Sequence, residues 1–168
     1  MRVGWGHGTV GAIVGSGVSA SRHAGMKGEA LEQKKAHLEM LQGIVNRLSQ
    51  NSFLLKGWSV ILISALFALA AREANPLFVY LAYFPAIAFW ILDAYFLWQE
   101  RLFRALYDRV RMLKEEDVDF SMDTSTVKAR IGLWTEVILS KTLVFFHGTV
   151  VLTILIVMLV IFLTQGGN

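Results

Sequence analysis

Three long apolar stretches dominate this chain, at residues 53–71, 77–99 and 142–164. An α-helix needs about 20 mostly apolar residues to cross the hydrocarbon core of a bilayer, and each stretch meets that requirement. The third stretch contains no Asp, Glu, Lys or Arg. The sequence therefore predicts an all-α integral membrane protein with three transmembrane helices and cytoplasmic helical extensions.

The distribution of basic residues predicts how these helices are oriented. Of the 16 Lys and Arg residues, six precede the first stretch, eight lie between the second and third, and none follows the third. Only Arg72 lies in the turn between the first two stretches. Basic residues accumulate on the cytoplasmic side of membrane proteins. We expect the N-terminus to be cytoplasmic and a short tail, residues 165–168, to be external.

The remaining residues divide by composition. Residues 1–28 hold eight of the fourteen glycines and predict a flexible cytoplasmic arm. GHGTVG at residues 6–11 matches a dinucleotide fingerprint, but no strand precedes it and no βαβ unit can follow. Residues 29–52 predict an amphipathic cytoplasmic helix. A transmembrane hairpin at residues 53–99 follows, and then a cytoplasmic helical segment at residues 100–141, before the third span.

The amphipathic helix carries one apolar seam with the spacing of a short coiled coil. Two interpretations remain open. The seam joins copies of the chain, or it packs on the central segment of its own chain. The seam consists of Leu31, Leu38, Leu41, Val45 and Leu48.

The central segment contains two further signals. Pro85 predicts a kink in the second span, and one last helix is expected to begin near Val127 and continue into the third span. Acidic residues alternate from Asp117 to Asp123 as in a calcium loop. However, Met122 replaces the glycine of such a loop and Lys128 replaces its final glutamate, which argues against a calcium site.

Signals for catalysis are absent from the sequence. There is no cysteine, no zinc-protease motif, no nucleophile elbow and no phosphate-binding loop. We therefore expect no enzyme activity, no cofactor and no metal.

Ionisable residues inside the spans are functional candidates in a membrane protein. Lys56, Asp93 and His147 all lie roughly 6–9 Å below the cytoplasmic surface, at about 1.5 Å per helical residue. A Lys56–Asp93 pair completed by His147 would form an intramembrane polar layer and could belong to a conduction path. Alternatively, Lys56 extends to the interface and Asp93 only joins helices.

Two threonines of the third span, Thr149 and Thr153, are candidates for pore lining because they lie four residues apart. Threonines in spans usually bond to their own backbone, which is the alternative.

A basic cluster follows the second span. It either marks topology and binds anionic lipid, or forms an anion site when copies assemble, suited to nucleotide or oligonucleotide phosphates. Its members are Arg101, Arg104, Arg109 and Arg111.

Three segments together resemble a family of small bacterial membrane proteins. They are residues 37–58 (HLEMLQGIVNRLSQNSFLLKGW), 84–103 (FPAIAFWILDAYFLWQERLF) and 105–111 (ALYDRVR). The family comprises anti-phage membrane effectors encoded beside a nucleotidyltransferase, of the Hailong type. The glycine-rich residues 1–28 are outside the resemblance.

The resemblance implies a homo-oligomeric channel that breaches the inner membrane of an infected cell. It implies gating by a nucleotide signal, such as a short single-stranded DNA oligomer, from the neighbouring nucleotidyltransferase. No ligand residue is implied by a family motif. The alternative function is a membrane scaffold subunit that anchors a soluble partner through its cytoplasmic helices.

Overall fold

The computed structural model describes residues 10–73 and 75–165, with side chains described for residue 23 and for residues 25–73 and 75–164. Within these ranges the chain is helical, without any strand. The helices are α1 (Val10–Glu73), α2 (Leu77–Leu81), α3 (Tyr83–Met112), α4 (Ser125–Ile131), α5 (Trp134–Ile138) and α6 (Lys141–Gln165), with a 3-10 turn at Glu115–Asp117.

Helix α1 is continuous from Val10 to Glu73, so it includes the amphipathic helix and the first span. It also includes residues 10–28, for which a flexible arm was the wrong expectation. A helix already formed downstream extends by one hydrogen bond per residue without new nucleation. The glycine penalty of about 1 kcal/mol per residue does not end it here. Residues 1–9, including most of the GHGTVG motif, lie outside the described residues.

The three apolar stretches all form helices. Segments Gly25–Glu73, Leu77–Met112 and Lys141–Thr164 are long enough and apolar enough to cross a membrane. The second is interrupted at Ala82, three residues before Pro85. Proline has no N–H to donate to the carbonyl four residues earlier, which explains an interruption at this position.

From residue 125 onward the chain does not form the single helix that the sequence predicts to continue into the third apolar stretch. Gly132 separates α4 from α5 with φ of +77°, a conformation that side-chain-bearing residues rarely adopt. A second break at residues 139–140 separates α5 from α6. Three helices therefore replace one, and the backbone conformation of Gly132 accounts for the first of the two breaks.

The seam of α1 packs on its own chain. Leu41 is fully buried among Leu102, Leu106 and Val110 of α3 and Val127 of α4. Intrachain packing is thus the alternative that the structure supports for the buried part of the seam. This packing fixes the part of α1 around Leu41 against α3.

Candidate functional site

Asp93 lies at the centre of a polar cluster between α1, α3 and α6. Its carboxylate has no exposed surface and lies 2.6 Å from Lys56 Nζ, measured to Oδ2. His147 Nε2 lies 2.9 Å from the same oxygen. The structure therefore brings together the three residues that the sequence predicts at matching depth, one from each of the three helices that could cross a membrane.

Ser52 is a fourth member that sequence reasoning missed. Its hydroxyl donates to Asp93 Oδ1 at 2.5 Å and accepts a hydrogen bond from Lys56 Nζ at 2.9 Å. Ser52 precedes Lys56 by four residues, which puts both on the same face of α1. That spacing is the signal that could have identified it.

The imidazole of His147 is held in one orientation by aromatic neighbours. Trp90 stacks on it with ring centroids 5.7 Å apart and planes 9° apart, and Phe146 meets it edge-on. Trp90 is itself fixed by an indole N–H donated to the Ile138 carbonyl at 3.1 Å. A carboxylate only accepts hydrogen bonds, so Nε2 carries a proton. Nδ1 is buried and has no hydrogen-bond partner among the described residues.

The cluster supplies hydrogen-bond donors to the Asp93 carboxylate, a charge that would otherwise be costly to bury. Asp93 receives hydrogen bonds from an ammonium, an imidazole and a hydroxyl, which offset its loss of water. The Lys56 side chain is 20% exposed, whereas Asp93 is fully buried. The Asp93 carboxylate and the Lys56 ammonium pair one negative with one positive group.

The two candidate pore-lining threonines bond to their own helix. Thr149 Oγ1 donates to the Phe145 carbonyl at 2.6 Å, and Thr153 Oγ1 donates to the Thr149 carbonyl at 2.9 Å. Both line a groove of about 240 Å³ that also contains Ser64 of α1. Their hydroxyls already have partners in the single chain, so pore lining stays a prediction.

The four candidate arginines do not converge on one surface of the chain. Arg101 and Arg104 line a groove together with Arg130 of α4. Arg109 and Arg111 are exposed but do not line that groove. Sequence reasoning missed Arg130 because it lies on a different helix.

The acidic loop after α3 is attached to α1. Lys34 Nζ donates to the Leu113 carbonyl at 2.7 Å, and the fully buried His37 contacts the Ser121 carbonyl through Nε2 at 3.2 Å. At the end of this loop, side-chain and backbone hydrogen bonds from Ser125 lower the pKa of Asp123. Within the described residues no group of three or more metal-ligating side chains could hold a metal ion.

No known protein family, curated protein or solved structure matches this chain.

Proposed function

We propose that the protein is a homo-oligomeric membrane effector that acts as a regulated pore. The observation that supports this function most is the buried cluster of Lys56, Asp93 and His147. Ionisable groups inside membrane spans are expensive to bury and commonly belong to ion or proton pathways. A helix that only anchors a protein needs no such group.

Assembly of several copies is part of this proposal. In a single chain only 11% of the most apolar window of the first and third spans is buried. Phe84 and Phe145 are 79% and 81% exposed. These surfaces fit lipid or further copies of the chain. In this proposal the walls of the pore come from more than one copy, since these outward surfaces are not covered within one chain.

The proposed gating signal is a nucleotide or a single-stranded oligonucleotide from a neighbouring nucleotidyltransferase in bacterial anti-phage defence. The resemblance of residues 37–58, 84–103 and 105–111 supports this part of the proposal. Exposed arginines on the cytoplasmic extension of α3 are compatible with an anionic signal.

The scaffold alternative is less well supported. An anchor helix for a soluble partner would present its apolar seam, but Leu41 and Val45 are buried in the chain itself, and Leu31 is the clearly exposed member of the seam, at 53%. A scaffold also gives no reason for a buried ion pair in the spans.

Ion flux through liposomes tests the pore directly. The purified wild-type oligomer, measured with and without short single-stranded DNA, is expected to conduct ions above empty liposomes in one of the two conditions. Asp93→Asn should change the flux about tenfold, as a 1.4 kcal/mol shift in the opening equilibrium would. Asp119→Asn is the matched control, because it removes an exposed carboxylate outside the spans. Absence of flux in both conditions would favour the scaffold.

A further inference from the structure

A surface groove of about 330 Å³ lies between the start of the cytoplasmic extension of α3 and helix α4. Three arginines line it: Arg101 and Arg104 from α3 and Arg130 from α4. Because two separate helices supply the guanidinium groups, the groove exists only in the folded chain.

The arginines of this groove differ in how they are neutralised. Arg104 is held by Glu100, whose Oε1 lies 2.8 Å from both Nε and Nη2. Glu100 is 8% exposed and so fixes this guanidinium in place. Among the described residues no carboxylate lies within 4 Å of the charged nitrogens of Arg101 or Arg130. One guanidinium group can donate two parallel hydrogen bonds to the oxygens of a phosphate. The guanidinium groups of Arg101 and Arg130 therefore remain available for a phosphate.

Asp108 is the one carboxylate that lines the groove. It lies 3.5 Å from Arg111 Nη2, so a cation outside the groove partly neutralises it. The groove therefore keeps a positive character despite this acidic neighbour.

The groove lies at the membrane end of the cytoplasmic region. Arg101 follows the predicted span by two residues, and the indole N–H of Trp98 donates to the Gly132 carbonyl at 3.1 Å. This bond holds the α4–α5 junction against the last turn of the span. Leu133 and Leu139, on either side of α5, are 61% and 74% exposed. Exposed apolar side chains beside basic ones are typical of a segment lying in the bilayer interface.

We propose that this groove binds the phosphate of an anionic phospholipid headgroup in the inner leaflet, with Leu133 and Leu139 in the adjacent acyl-chain layer. The two available guanidinium groups suit a single phosphodiester. A soluble oligonucleotide would need a longer basic track with bases stacked along it, and Arg109 and Arg111 do not extend this groove. The inference rests on the membrane placement in the proposed function, but not on pore activity.

Lipid titration followed by native mass spectrometry tests the site. The full chain, purified in an uncharged detergent, is titrated with phosphatidylglycerol or with zwitterionic phosphatidylcholine. Wild type should bind phosphatidylglycerol more tightly. Arg101→Ala combined with Arg130→Ala should weaken that binding about 25-fold, or about fivefold for each arginine. The matched control Arg109→Ala, on the same helix and outside the groove, should change it less than about twofold.

Two results would overturn the site. If Arg109→Ala lost as much phosphatidylglycerol affinity as each arginine of the groove, general surface charge and not the groove would attract the lipid. A short single-stranded DNA that binds lipid-free wild type, competes with phosphatidylglycerol and is lost in the double alanine variant would assign the groove to a soluble phosphate ligand.

The helix content of the double alanine protein shows whether it has folded. A second variant tests the site if it has not. Arg101→Lys with Arg130→Lys keeps both charges but cannot bind a phosphate in bidentate fashion. It should lose roughly fivefold in phosphatidylglycerol affinity, and unchanged affinity would refute guanidinium recognition. Liposomes without ion flux would refute the pore and leave these lipid affinities unaffected, so the two failures are distinguishable.

Discussion

The Lys56–Asp93 contact predicts a specific pattern of stabilities. Breaking a buried ion pair by removing one partner costs about 3–5 kcal/mol, because the other charge is left buried. The two partners are not equivalent, since the Lys56 side chain is 20% exposed and Asp93 is 0% exposed. Asp93→Asn leaves an ammonium on a partly exposed side chain, so we expect it to lower the free energy of unfolding by about 3 kcal/mol or less. Lys56→Met leaves a buried carboxylate with only Ser52 and His147 as hydrogen-bond donors. We therefore expect its cost in unfolding free energy to lie in the upper part of that range.

The double variant should cost less than the sum of the two single variants. It contains neither charge, and the asparagine can still accept a hydrogen bond from Ser52. We expect a coupling free energy of about 1–3 kcal/mol between Lys56 and Asp93. The exposed ion pair of Arg72 and Glu73, with side chains 81% and 54% exposed, is the control and should show coupling near zero.

Unfolding in mixed micelles of a mild detergent and dodecyl sulfate gives these free energies. Helix content from circular dichroism follows the transition, at one pH and one protein concentration for all variants. The wild type, both single variants and the double variant then form a double-mutant cycle. Additive costs of Lys56→Met and Asp93→Asn would refute the pairing, whatever the size of each cost.

Two other predictions concern orientation and the α4–α5 break. A fusion of alkaline phosphatase to Asn168 should be active and a fusion of green fluorescent protein there should be dark, since basic residues keep the other segments cytoplasmic; the opposite pattern would overturn the topology. Gly132→Ala should lower the free energy of unfolding by about 1–3 kcal/mol, because its φ is +77° and a Cβ would lie 2.5 Å from Glu136 Oε2. Gly57→Ala, where a Cβ meets nothing within 4 Å, should instead stabilise α1 by about 0.5–1 kcal/mol, and equal effects at both glycines would contradict this reasoning.

The sequence alone predicts three long apolar helices and the relative positions of their ionisable residues along them. Both follow from counting along one helix, because each residue advances about 1.5 Å whatever surrounds it. The matched depths of Lys56, Asp93 and His147 were therefore predictable before any contact was known. The position of the interruption near Pro85 was predictable for the same reason, since a missing N–H acts within one turn.

Which residues face one another is visible only in the folded chain. Ser52 bonds to Asp93 across 41 positions of sequence, and Arg130 joins Arg101 in one groove although they lie on different helices. The buried seam packs on α3 of the same chain, an alternative that its spacing left open. Such contacts depend on how each helix is rotated about its axis and where the chain turns at Gly132. Packing over the whole molecule sets those rotations, and a local pattern of residues does not contain them.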